Sequence, residues 1–199
     1  KDTIFTGLDA INQAMESIWN VNATSFTIDL ATRSLKLGFE SLPDLMNGSN
    51  CKAKREMMAE CSLLAGLAIS QTRTALCHSI SYPLTVHFNV PHGLACAFTM
   101  PIILRHNLLL DYGRFKVLAK QLIGEDATTD DLYKLFDNFH KDNEVCLKVR
   151  EKVKNKNKLL NLIPEMITPG RADNSLLNTN NDTIRSIIEE SWNYDRQIN

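Results

Sequence analysis

The chain carries neither of the glycine loops that cradle phosphates. Its 8 glycines are never arranged as G-x-G-x-x-G or as G-x-x-x-x-G-K, so it encodes no dinucleotide or P-loop fingerprint. Strand-like alternation of apolar and polar residues is nearly absent, which removes the βαβ unit such loops depend on. The 5 cysteines (Cys51, Cys61, Cys77, Cys96, Cys146) are odd in number and form no C-x-x-C. That argues against a disulfide framework or zinc ribbon and for reduced, mostly buried thiols in a cytoplasmic protein. No apolar run approaches the ~18 residues of a membrane span, and no signal peptide is evident. A net charge of −1 implies no nucleic acid or membrane-surface partner. The lysines of 148–158 are broken by Glu151 and apolar residues and read as a solvated helix end.

What is present is a helical period. With 199 residues and 44% hydrophobic side chains, the chain can bury the core of one domain, 1–199. Thr6-Gly-Leu-Asp9 has the spacing of a capping box and opens an apolar run through Leu8, Ile11, Ala14, Met15, Ile18 and Trp19. A second helix is expected over 26–39, capped by Ser25 and stopped near Pro43. A third is expected over 51–72, with Met57, Met58, Cys61, Leu64, Ala65 and Ala68 inward and a small-residue stretch at Ala65-Gly66-Leu67-Ala68. A histidine-bearing loop or short helix interrupted at Pro83 follows. Further helices are expected at 94–100, 112–122, 129–140, 144–154 and 182–192, and 168–181 reads as a long loop. The fold class is all-α, with seven to nine helices.

The most informative stretch runs from Leu76 to Gly93. It holds His78, His87 and His92, three of the chain's 5 histidines, and imidazole is both the commonest metal ligand and the side chain that titrates near neutrality. Pro91 suits the start of a helix that would orient His92. On the first helix, Asp9 and Gln13 are four apart and share a face. A divalent cation needs three or four converging donors. Asp9, His78 and His92 make such a set, with Gln13 a fourth donor or a supporting neighbour. Against this, an Asp early in a helix ordinarily serves the dipole, and loop histidines are ordinarily satisfied by carbonyls, the reading given to His87, His106 and His140.

The chain resembles the C-terminal helical, dehydroquinate synthase-like domain of the iron-containing (group III) alcohol dehydrogenases. The resemblance runs over roughly residues 3–122 and more weakly beyond. Asp9-Ala10-Ile11-Asn12-Gln13 with Glu16 is similar to that family's Asp-Ala-x-x-His with its acidic follower. His78 is followed, fourteen residues on, by the His of Pro91-His92-Gly93, then an apolar helix and Pro101. Residues 55–66 resemble a further segment of the family. The resemblance implies that Asp9, His78 and His92 are metal ligands, with Fe2+ foremost and Zn2+ the other candidate. Gln13 departs from the pattern, replacing a ligand nitrogen by an amide. Tyr82 departs too, where the family commonly has a histidine for proton transfer; Tyr82 or His87 could take that role. The wording Ser81-Tyr82-Pro83-Leu84-Thr85 is similar to the phosphonoacetaldehyde reductase branch.

The resemblance further implies an NAD(P)-linked alcohol dehydrogenase or aldehyde reductase. The present chain would supply the metal and substrate side, and the dinucleotide-binding domain would lie N-terminal to it. It implies a small aldehyde or primary alcohol as substrate, a phosphonate among the candidates, and a homo-oligomer. The alternative is a degenerate, non-catalytic helical domain used for assembly or partner binding.

Overall fold

The computed structural model describes residues 2–196. Among them are eleven α-helices, short 3-10 turns and no strand beyond a single bridge, so the all-α expectation holds with more, shorter helices than the period suggested. α1 (Asp2–Ile18) sends Leu8, Ile11, Met15 and Ile18, at three- and four-residue spacing, into the interior at 0–1% exposure. α2 (Ser25–Met46) and α3 (Lys52–Thr72) pack against it and each other. Gly38 of α2 lies against both partners: a Cβ there would sit 3.0 Å from Ile11 Cγ1 and 3.1 Å from Cys61 Sγ. On α3 the inward stripe is Met58, Cys61, Ala65, Ala68 and Thr72. Met57 and Leu64, one step off that stripe, are half-buried, and Gly66 faces open space rather than a neighbouring backbone.

Several boundaries differ from expectation for identifiable reasons. α1 begins well before Thr6, whose hydroxyl donates to the Thr3 carbonyl. α2 is capped by Thr24, not Ser25: the Thr24 N–H donates to Thr27 Oγ1 at 2.9 Å and Thr27 N–H returns to Thr24 Oγ1 at 3.3 Å. It also runs through Pro43 to Met46. The histidine segment is not a loop. It is one helix, α4 (Leu76–Phe88), with Pro83 inside it. A proline costs a helix interior ~3 kcal/mol, but eight of the thirteen residues of α4 are buried, and that packing outweighs the cost. α4 stops at Asn89, held left-handed at φ 52.

α5 (His92–Ala97) and α6 (Met100–Leu108) divide the helix expected at 94–100. Pro101 has no N–H for the Ala97 carbonyl four residues back, and that carbonyl accepts from the His140 ring instead, at 3.1 Å. α7 (Tyr112–Leu122), α8 (Thr129–Asp142), α9 (Val145–Val153), α10 (Lys156–Leu160) and α11 (Asn181–Asn193) complete the domain around a single connected core. The loop at 168–181 is tied down: Val21 N–H donates to the Asn174 carbonyl at 2.9 Å, and Asn174 Nδ2 donates to Thr74 and Gly170 carbonyls. No helix among the described residues is long and apolar enough to cross a membrane.

Candidate metal centre

Because α1 starts at Asp2, Asp9 lies about two turns into the helix. It therefore neither caps the end nor complements the dipole. The next turn supplies Gln13, whose Nε2 donates to Asp9 Oδ2 at 2.9 Å. A carboxylate can only accept, so the NH2 of Gln13 must face Asp9, and the contact leaves Oδ1 to point elsewhere. One turn further, Glu16 is fully buried. Its carboxylate accepts from the backbone N–H of Ala75 at 2.9 Å and of His78 at 3.2 Å, and meets His78 Nδ1 at 2.6 Å. α4 has no side-chain cap of its own. Glu16 satisfies its first donors and places negative charge at its positive end.

With Nδ1 bound to Glu16, His78 turns Nε2 toward Asp9 Oδ1, 3.2 Å away. Fixing the distal nitrogen of a ligand histidine on a carboxylate sets its tautomer and ring angle. His92 arrives from α5, with Nε2 3.8 Å from the same Asp9 oxygen and Nδ1 3.4 Å from Ser81 Oγ. This approach depends on Gly93, where a Cβ would sit 1.8 Å from the Phe5 carbonyl oxygen of α1 and 2.9 Å from the Asp9 backbone nitrogen. Four residues after His92, on the same face of α5, Cys96 places Sγ 3.7 Å from His92 Nε2. One donor atom each from Asp9, His78, His92 and Cys96 lies within 4.8 Å of the others.

The donor set fits a divalent cation. Asp9 Oδ1 and His78 Nε2 are both buried and, despite their proximity, neither makes a hydrogen bond. Buried polar atoms without partners are expensive, and these two converge on one point. His78 is 2% exposed and Asp9 23%, whereas His92 is 38% exposed, so solvent reaches the cluster along the His92 edge. Burial pushes the His78 imidazole down, but Cys96 and Glu16 beside it outweigh burial and hold it well above its ordinary value. The Cys96 contact raises His92 in the same way, against burial. Burial pushes the Cys96 thiol up, and the two imidazoles more than reverse it. A cation bound there would displace any protons that the ring nitrogens and the thiol carry at its ligand atoms.

Of the remaining expected residues, Tyr82 is at the cluster: its ring stacks on His92 with centroids 5.7 Å apart and a 23° interplanar angle. His87 is not there. Nine residues after His78, it lies about 13 Å along α4 and half a turn round, with Nε2 2.8 Å from Glu165 on the surface. His106 and His140 serve structure, near Glu190 at 3.6 Å and bonded to the Ala97 carbonyl. Arg105, beside the motif in sequence, pairs with Glu190. The sequence reading assigned no role to Cys96, to Glu16 beyond its motif, or to Arg171, whose guanidinium lies 4.5 Å over the Tyr82 ring. The four-residue spacing of His92 and Cys96 was the available signal for the first. Nothing local marks Arg171, which comes from the loop at 168–181.

A family model described as the Fe-containing alcohol dehydrogenase family, C-terminal, matches residues 3–191. The 1-propanol dehydrogenase PduQ of Salmonella typhimurium is 38% identical over 105 residues, 53% of this chain and 28% of that protein. The phosphonoacetaldehyde reductase of Streptomyces viridochromogenes is 34% identical over 100 residues, 50% of this chain and 25% of that protein. Among solved structures, the sulfoacetaldehyde reductase of Bifidobacterium kashiwanohense in complex with NAD+ superposes with a TM-score of 0.79 at 23% identity. The match covers 99% of this chain and 50% of that one. The chain thus spans about half the length of that structure, and its matches span between a quarter and a third of the two relatives.

Proposed function

From the premise that this chain belongs to the Fe-containing alcohol dehydrogenase family, of which it carries the C-terminal domain, we propose that it forms the metal and substrate side of an aldehyde-reducing active site. The observation that carries this reading is the convergence of Asp9 Oδ1 and His78 Nε2, both buried and unbonded, with His92 at the solvent-facing edge. Asp9, His78 and His92 would hold the cation, Fe2+ or Zn2+. Bound there, it would polarise a carbonyl oxygen and stabilise the developing alkoxide. Gln13 and Glu16 orient Asp9 and His78. A nicotinamide held outside residues 1–199 would supply hydride, so these residues alone would not turn over.

Tyr82, stacked on His92, is the group placed to pass a proton to the product oxygen. A phenol O–H is a proton donor, and Tyr82 would hand its proton to the alkoxide that hydride transfer leaves. The substrate reading is a short aldehyde with an anionic tail. Relatives include enzymes named for neutral and for phosphonate substrates. What favours the anionic class is Arg171, an exposed guanidinium held over Tyr82 and paired with no carboxylate among the described residues.

The test is metal content of the intact gene product after loading with Fe2+ or Zn2+, alongside His92→Ala. About one equivalent, lost in the variant, is expected; no bound metal in either protein overturns the reading. Arg171→Gln should then raise KM for phosphonoacetaldehyde by about 10- to 100-fold, the worth of a hydrogen bond to a charged group, and leave propanal unchanged. Equal effects on both aldehydes would remove the anionic-substrate assignment.

A further inference from the structure

We propose that Cys96 is the fourth protein donor of the metal centre, taking through α5 the coordination place that Gln13 does not fill from α1. The inference rests on the metal-centre reading above and deepens it. Two helices each offer a pair four residues apart: Asp9 and Gln13 on α1, His92 and Cys96 on α5, with His78 between them from α4. On α1 the pair is used internally, since Gln13 gives its NH2 to Asp9 Oδ2. On α5 the second member is a sulfur at zero exposure, 3.7 Å from His92 Nε2.

Donors around a tetrahedral ion with bonds of ~2.0–2.3 Å stand roughly 3.3–3.8 Å apart. Three of the pairs here are already at 3.2, 3.8 and 3.7 Å, and all four atoms lie within 4.8 Å. Small side-chain rotations close the remainder. On binding, the Cys96 S–H bond breaks, its proton leaves to solvent, and the sulfur lone pair forms the metal–sulfur bond without a change of oxidation state. Replacing an amide oxygen by thiolate shifts the site toward softer ions, so Zn2+ and Fe2+ should be favoured over Mn2+. The exposed His92 edge keeps a further position open for a carbonyl oxygen.

The experiment is X-ray absorption at the zinc edge on the intact, Zn2+-loaded protein, with Cys96→Ser and Cys77→Ser beside it. The expected wild-type spectrum has one sulfur at ~2.3 Å together with nitrogen and oxygen at ~2.0–2.2 Å. The sulfur shell should vanish in Cys96→Ser, persist in Cys77→Ser, and leave Zn2+ affinity at least tenfold weaker in the former. One equivalent of zinc with a nitrogen–oxygen shell alone overturns the inference while sparing the metal centre, and would make Cys96 only a hydrogen-bond donor to His92. A sulfur shell that follows Cys77 also overturns it. No bound zinc in the wild type defeats both readings. The wild-type spectrum decides the point even if Cys96→Ser fails to fold.

Discussion

Gly93→Ala sets two effects of opposite sign against each other. Helix propensity alone says that alanine for glycine in α5 should stabilise by up to ~1 kcal/mol. Packing says the reverse: the added carbon would fall 1.8 Å from Phe5 O, 2.8 Å from Phe5 C and 2.9 Å from Asp9 N. All three are backbone atoms of a helix whose inner face is at 0–1% exposure, so no flexible side chain can give way. Restoring a contact of ~3.5 Å requires α5 to retreat from α1 by about 1.7 Å. Overpacking a well-filled core costs ~1–3 kcal/mol, and a rigid neighbour on both sides places this case at ~3 kcal/mol net. At ~2–4 °C per kcal/mol for a chain of this size, the melting temperature should fall by about 6–12 °C by differential scanning calorimetry. The same retreat carries His92 and Cys96 away from Asp9 and His78, far beyond the ~0.2 Å tolerance of a metal site, so stoichiometric metal binding should be lost as well. A variant melting within 2 °C of wild type and still binding metal would refute the reasoning, because it would mean that the α1–α5 contact is not what assembles the centre.

Other perturbations test the remaining links. Glu16→Gln keeps the shape but turns an NH2 toward the donors at Ala75 and His78, and should cost ~2–3 kcal/mol in urea unfolding and lower metal affinity 10- to 100-fold by chelator competition. His140, buried and pushed down to about 4 by desolvation despite its bond to Ala97, takes up its proton far more readily when unfolded. Between pH 6.5 and 4 the unfolded state therefore binds more protons, and stability falls with falling pH by about 3 kcal/mol over that window; urea midpoints of His140→Gln should show a correspondingly flatter acid limb. Tyr82→Phe keeps the stack on His92 and should lower kcat about 100-fold or more if the hydroxyl relays a proton, whereas His87→Ala should leave kcat unchanged. Thr128→Ala removes the cap of α8, where Asp131 N–H donates to Thr128 Oγ1 at 3.2 Å, and should cost ~1 kcal/mol.

Whatever depends on neighbours along the chain is legible in the order of the amino acids. The three- and four-residue apolar spacing placed the helices, and the helix expected at 112–122 is observed as Tyr112–Leu122. Asp9, His78 and His92 could be singled out because their residue types and spacing match a ligand motif, and the structure brings them together. Whatever depends on contacts between distant segments emerges only once the helices are packed. Burial of α4 carried a helix through Pro83, which local geometry read as an interruption. The nearness of Asp9 gives the Gln13 NH2 a carboxylate partner, a contact that spacing along the helix leaves open. His87, a candidate for proton transfer alongside Tyr82, stands away from the cluster by half a turn of helix and has a partner in Glu165. Cys96 and Arg171 acquired their places from the Gly93 contact and the tied-down loop at 168–181, and no local spacing encodes how closely two helices approach or what a loop lays over an aromatic ring.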